Sequence, residues 1–218
     1  MELSPSRPTK KEMVTAFRTK EIMAAAHRVM ERQGLEAATM EEIAAAAGVA
    51  KGTVYLYFQS KDELIQALIT RVGEQMLAGI EAVVEGPGAP AEKIRQVASL
   101  LLDYLMRERV LFPAYARDLL RGGRGAAKGY WSRLQEMEER FVTLVTRLFA
   151  QGIESGQFIP ANPRLLTFLL RGMVRAVGYY QMSEGQEKAV QEALPVLLTL
   201  LSSGLTRQPQ SSAEVATL

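Results

Sequence analysis

Apolar side chains recur along nearly the whole chain at the i, i+3, i+4, i+7 spacing of a helix buried on one face. Scarcely any segment alternates with the period of two that a half-buried strand requires. The pattern predicts an all-α fold of about nine helices. The first runs from about Ala16 to Gln33 with Ile22, Ala25, Ala26, Val29 and Met30 on its stripe, and Gly34 is placed to supply a left-handed cap. The second opens at Thr39, whose hydroxyl can accept from the Glu42 amide while the Glu42 carboxylate reaches back, and Gly48 ends it early. A third spans about Lys51 to Phe58. A long helix from Lys61 to about Val84 carries Ile65, Leu68, Val72, Met76 and Val83, and at about 1.5 Å per residue it extends roughly 36 Å.

Gly86, Pro87, Gly88 and Pro90 close that helix. The next shows Ile94, Val97, Ala98, Leu101, Leu102 and Leu105 on one face, and Phe112, Pro113 and the glycines at 122, 123 and 125 punctuate the chain beyond it. Another long helix is predicted from about Ala126 to Glu154. Two strongly apolar helices end the pattern, about Pro163 to Ser183 and Glu187 to Ser203, and the chain from 206 to 218 is expected to be a disordered tail.

Met40 to Gln59 carries the sharpest signal. Two helices that cross closely around a tight turn need a small residue at the crossing, a residue tolerant of positive φ in the turn, and apolar anchors on both sides. Ile43 and Ala47 supply the inner face, Ala44 the crossing, Gly48 the turn, and Val49, Val54 and Tyr57 the later anchors. This is a helix-turn-helix at about 39–58, a reader of double-stranded DNA. Its second helix offers Lys51, Gly52, Thr53, Tyr55 and Tyr57 in one short stretch, residues a purely structural helix rarely chooses. Lys51 can donate to guanine O6 and N7, the Thr53 methyl can meet a thymine methyl, and Tyr55 and Tyr57 offer phenol donors to phosphate. Gly52, a poor helix former near the helix start, suits a close approach of backbone to DNA. Ser60 and Glu63 form a further capping box, with Lys61 beside the outward amides as an anion site.

Charge and composition alter this picture only locally. Among the first 20 residues Arg7, Lys10, Lys11, Arg18 and Lys20 stand against Glu2 and Glu12, although the formal net charge of the chain is only +2. Residues 1–16 are therefore expected to be a basic flexible arm beside the reader. The 218 residues are 48% apolar and 23% charged, enough to bury a sizeable core. Cysteine is absent and His27 is the only histidine, which removes disulfides, thiolate chemistry and multi-histidine metal sites. The glycines from Gly122 to Gly129 fit neither phosphate-loop spacing and come after a helix, so they read as an interhelical loop. No catalytic group, metal or cofactor is expected. The polar start and short apolar runs such as Leu194 to Leu201 predict a cytoplasmic protein with no membrane partner.

The run G-L-E-A-A-T-M-E-E-I-A-A-A-A-G-V-A-K-G-T-V-Y-L-Y-F-Q-S-K-D-E-L from Gly34 to Leu64 resembles the TetR/AcrR family of transcriptional regulators. The resemblance is strong over roughly Phe17 to Leu68. It implies a three-helix DNA-binding domain at 17–62 and a helical-bundle domain for ligand binding and dimerisation at 63–205. By it, Thr39, Tyr55, Tyr57 and Lys61 would contact phosphates, and Lys51, Gly52 and Thr53 would lie against bases. Two positions depart: Ala50 stands where serine is frequent in the family, and Glu41 would repel phosphate and is expected to face away.

The resemblance also implies a homodimer, a double-stranded operator and a small-molecule effector, together describing a repressor released by its ligand; the alternatives are an effector-independent DNA-binding regulator controlled by a protein partner and a helical-bundle enzyme carrying a DNA-binding module. The effector pocket would draw on Leu102, Tyr104, Phe112, Tyr115, Trp131, Met137 and Phe141. The last two helices would meet their copies through Leu169, Met173, Val177, Tyr180, Leu194, Leu197 and Leu201. Arg171 and Arg175 are expected to form surface ion pairs.

Overall fold

A computed structural model describes the chain at residues 9–127, 129–184 and 187–205, with side chains in those ranges except at 184, 187–191, 194, 202, 204 and 205. Among the described residues there are nine helices and no strand: α1 (Lys10–Gln33), α2 (Met40–Ala46), α3 (Lys51–Tyr55), α4 (Lys61–Glu85), α5 (Pro90–Arg107), α6 (Phe112–Arg121), α7 (Tyr130–Glu154), α8 (Pro163–Glu184) and α9 (Glu187–Leu205). No helix among them is long and apolar enough to cross a membrane.

The first helix begins at Lys10, six residues before the expected start. Thr9 accepts from the Glu12 amide at 3.3 Å while the Glu12 carboxylate accepts from the Thr9 amide at 2.7 Å, a capping box that satisfies two otherwise orphaned donors. The basic stretch from Lys10 to Ala16 is thus helix and not part of a flexible arm; residues 1–8 lie outside the described residues, as does the tail at 206–218. At the other end Gly34 sits at φ +89° and ψ 160°, a glycine-only extended conformation instead of the expected left-handed one, and its amide still donates to the Met30 carbonyl at 2.8 Å.

The helices pack into two compact units. Of the described residues, one holds those up to Arg71 together with those of Val110–Ser132; the other holds Val72–Arg109 and those from Arg133 to Leu205. This division differs from the boundary expected at 62/63. The reason is that the first turns of α4 and the α6 segment share polar contacts: Gln66, buried on α4, accepts the Ala127 amide at 2.8 Å, and Arg117 lies 3.7 Å from Asp62. The glycine loop delays α7 to Tyr130, four residues past its expected start. Within that loop Gly123 lies at φ +74°, and a Cβ there would collide with the Trp131 ring.

In the first unit the stripe of α1 is buried as expected, along with Ile43, Ala44, Val54, Phe58, Leu64, Ile65 and Leu68. In the second, Leu77, Ile80 and Val84 of α4 join Ile94, Val97, Ala98, Leu101 and Leu102 of α5 and Val145, Leu148 and Phe149 of α7 in one core. The buried face of α4 here is set by Leu77, Ile80 and Val84, with Val72, Met76 and Val83 only half-buried. Three arginines seven residues apart on α7 answer three glutamates of α4. Arg133 pairs with Glu74 at 2.6 Å, Arg140 pairs with Glu81, and Arg147 pairs with Glu85 at 3.1 Å. Both sets ascend in the same direction, so α4 and α7 run parallel in this unit. Each pair is largely solvated and adds well under about 1 kcal/mol, so the ladder selects register more than it stabilises.

Candidate nucleic-acid interface

The turn between α2 and α3 forms as its residues dictate. Thr39 caps α2, accepting the Glu42 amide at 3.2 Å, and Gly48 turns the chain at φ +67°. The Val49 amide returns to the Ala44 carbonyl at 3.0 Å, and Ala50 enters α3 in extended conformation without a side-chain cap. Ile43 and Ala44 are buried on α2 and Val54 on α3, while the other expected anchors, Ala47, Val49 and Tyr57, are half-buried.

The α-helical part of α3 is shorter than expected and ends at Tyr55; Leu56 and Tyr57 continue as a turn whose amides bond back to Thr53 and Val54. Lys51, Gly52 and Tyr55 are exposed, and Thr53 and Tyr57 half-buried. Gly52 has no internal explanation: its φ is ordinary, and an added Cβ would meet nothing within 4 Å. A glycine that costs helix stability and neither relieves a clash nor allows a turn leaves an outward-facing stretch of bare backbone.

Two other site residues, Thr39 and Lys61, are engaged within the unit. The Thr39 hydroxyl donates to the Glu42 carboxylate at 2.8 Å, so its proton belongs to the cap. That carboxylate also accepts from Gln33, and these bonds to Thr39 first and Gln33 second hold it below the usual carboxylate range. Lys61 turns inward, its ammonium 3.2 Å from the Leu35 carbonyl and 2.9 Å from that of Glu36. Ser60 accepts the Glu63 amide at 3.1 Å, but the Glu63 carboxylate takes the Gln59 amide instead of completing the expected box.

Glu41 does not face away as expected. Its carboxylate forms an ion pair with Lys51 across the two helices, with both side chains about half exposed. The Lys51 ammonium also lies 5.8 Å from the Tyr55 ring centroid. Hydrogen bonding to Lys51 lowers the pKa of Glu41, and the same bond raises that of Lys51. No sequence spacing announces a pair ten residues apart on different helices. On α1, Lys10, Lys11 and Lys20 are exposed and have no carboxylate partner among the described residues, whereas Arg18 pairs with Glu21 at 2.8 Å.

Residues 22–68 match the family model for bacterial regulatory proteins of the tetR family, and residues 87–186 match that for the tetracyclin repressor-like C-terminal domain. The chain belongs to the tetR family. It is a helix-turn-helix transcriptional regulator and not an enzyme. The uncharacterised helix-turn-helix regulator YhgD of Bacillus subtilis is 25% identical over 70% of this chain and 78% of its own length. The nicotine-responsive repressor HdnoR of Paenarthrobacter nicotinovorans is 32% identical over 44% of this chain and 47% of its own. Among solved structures, the Bacillus subtilis regulator FadR in complex with stearoyl-CoA superposes with a TM-score of 0.65 at 24% identity, covering 85% of this chain and 98% of that one.

Placed in this tetR-family chain, the residues expected to line one pocket are divided between the units. Phe112, Tyr115 and Trp131 belong to the first, where the Phe112 and Tyr115 rings lie 6.2 Å apart. Leu102 and Phe141 are core residues of the second; Met137 packs against that core, and Tyr104 is half-buried. The first unit also contains a buried polar group that sequence reasoning missed. Asp118 and Tyr130 are both buried, and the Asp118 Oδ2 and the Tyr130 hydroxyl lack hydrogen-bond partners.

On α8 and α9 the residues expected at a dimer interface divide between core and surface. Leu197 and Leu201 are buried in the core of their own chain, whereas Met173 and Val177 pack against that core and stay half-buried. The exposed apolar face is instead Leu165, Phe168, Leu169, Tyr179 and Tyr180 on α8 with Val196 and Leu200 on α9. Leu169 and Tyr180 remain from the expected set, while the Leu194 side chain lies outside the described residues. Arg171 and Arg175 both bind the Glu138 carboxylate of α7, Arg175 at 2.9 Å.

Proposed function

We propose that this regulator is a homodimeric cytoplasmic repressor that holds double-stranded operator DNA through α2 and α3 and leaves it when a small-molecule effector binds. The observation that carries the reading is the surface of α3: Lys51, bare Gly52 and Tyr55 stand exposed where neither packing nor backbone conformation calls for them. Lys51, Gly52 and Thr53 lie against bases. Tyr55 and Tyr57 contact phosphates, with Lys10, Lys11 and Lys20 adding charge from α1. Thr39 and Lys61 act beside them through the cap and the loop they hold.

A helix-turn-helix reads DNA best as a symmetric pair whose recognition helices stand about 34 to 36 Å apart. The exposed apolar residues of α8 and α9 supply a surface for a second copy, and burying them there removes a patch that a monomer would leave in water. Release by a ligand is supported by two of the similar proteins, one nicotine-responsive and one bound to stearoyl-CoA. An effector must bind the state with wrongly spaced readers more tightly, by a coupling of about 1 to 3 kcal/mol, and DNA must weaken the effector by the same factor.

The test begins with which genomic fragments the purified full chain retains, and continues with sedimentation of the free protein. A compound found by thermal shift is then titrated with and without saturating operator. Weaker binding with operator present supports the switch. Equal affinities, or a folded monomer at micromolar concentration, remove the corresponding part of the reading.

A further inference from the structure

We infer that Glu41 and Lys51 act together as one base-reading unit, the ammonium donating to guanine and the carboxylate accepting the 4-amino group of the cytosine paired with it. This rests on the DNA-binding reading and deepens it by naming a specificity residue outside the recognition helix.

The geometry supplies a donor and an acceptor side by side. Glu41 stands in the first turn of α2 and Lys51 at the first position of α3; the ion pair joins them at the open edge of the reader, and each side chain is about half exposed. The Lys51 ammonium also lies 5.8 Å from the Tyr55 ring centroid, so the pair sits beside an aromatic side chain on the same exposed surface. The major-groove edge of a G·C pair is its complement. Guanine offers two acceptors, N7 and O6, and the cytosine amino donor lies immediately beside O6.

An A·T edge fits less well, because its single amino donor lies between the acceptors N7 and O4. A carboxylate aimed at that donor meets a lone pair on either side. Charge makes the same choice of a joint reader. A lone glutamate entering the groove is repelled by the phosphates, whereas a carboxylate that arrives bonded to an ammonium arrives as a neutral pair. On DNA without the matching base pair, Lys51 must leave Glu41 to reach a phosphate, so the pair also depresses non-specific binding.

Duplexes enriched by the full-length wild-type protein from a randomised library provide the substrates. In a synthetic copy, the cytosine of the selected G·C pair is replaced by 2-pyrimidinone, which lacks the 4-amino group and keeps two of the three hydrogen bonds to guanine; Glu41→Ala on the same duplex controls for the weaker pairing. The wild type should lose about tenfold in affinity and Glu41→Ala nothing. Replacing the guanine by 7-deazaguanine should weaken the wild type but not Lys51→Ala. Glu41→Gln, which keeps side-chain size, serves if the alanine variant does not fold: it should bind scrambled DNA more tightly and with a log-affinity slope against log salt steeper by about 0.9, from one added phosphate contact.

If the wild type enriches no duplex, the DNA-binding reading fails and the inference with it. If it enriches a sequence but Glu41→Ala selects the same one and responds equally to loss of the 4-amino group, only the inference fails. A uniform gain of affinity in Glu41→Ala with unchanged preference also overturns it, reducing Glu41 to a charge that merely restrains Lys51.

Discussion

The Lys61 ammonium lies 2.9 Å from the carbonyl oxygen of Glu36, tying the start of α4 to the loop between α1 and α2. A lysine in the first turn of a helix opposes the helix dipole, so its placement there requires compensation. The Leu35 and Glu36 carbonyls provide it, since α1 has ended and leaves them without helical partners. Lys61→Met is expected to lower stability by about 1 to 2 kcal/mol with no DNA present, the value of hydrogen bonds to a charged group that is only partly buried. Urea unfolding measures this. An unchanged midpoint would mean the two bonds contribute nothing.

Gly52 sets stability against binding. Because an added Cβ meets no atom within 4 Å and the backbone is helical, Gly52→Ala should stabilise the free protein by about 0.5 to 1 kcal/mol. The same methyl intrudes where DNA backbone or bases approach, so operator affinity should fall. Thermal unfolding and binding titrations on one preparation give both numbers. A stabilised variant with unchanged affinity would show that the glycine is not there for DNA.

Exposed and buried leucines of the last two helices should respond differently to charge. Leu169 is 52% exposed and Leu197 is 3% exposed. Leu169→Glu should leave a folded chain that sediments as a monomer. Leu197→Glu places a carboxylate in the core and should cost several kcal/mol, seen as lost helicity. If Leu169→Glu still sediments as a dimer, the outer face of α8 is not the dimer surface.

Tyr130 makes the fold sensitive to alkali. Burial first, and the Asp118 carboxylate beside it second, push its phenol above the ordinary 10.0. The folded state therefore holds this proton more tightly than the unfolded chain does. Its contribution is fully present below pH 10 and is lost as pH rises from there toward the higher folded value. Tyr130→Phe should flatten the fall in Tm as pH rises above about 10. Parallel curves for the two proteins would show that the hydroxyl stays solvated.

Helix order and the reader were legible in the sequence because the signals that specify them are local. Ile43, Ala44, Gly48 and Val54 meet through a single turn, and the Thr39 cap is completed three residues away, so spacing alone describes their geometry. The capping box at Thr9 and Glu12 was equally local, and it moves the start of α1 into the basic stretch. Tertiary structure decided what depends on which helices come together. Glu41 finds Lys51 only because α2 and α3 cross, and Lys61 finds two carbonyls 25 and 26 residues away only because α4 begins beside the end of α1. On α8 and α9 apolar residues spread over more than one face, so periodicity cannot distinguish the side that closes the core, with Leu197 and Leu201, from the side left outward, with Phe168 and Leu169. A hydrophobic stripe records that a residue is to be buried; only the packed chain determines whether its own core does so.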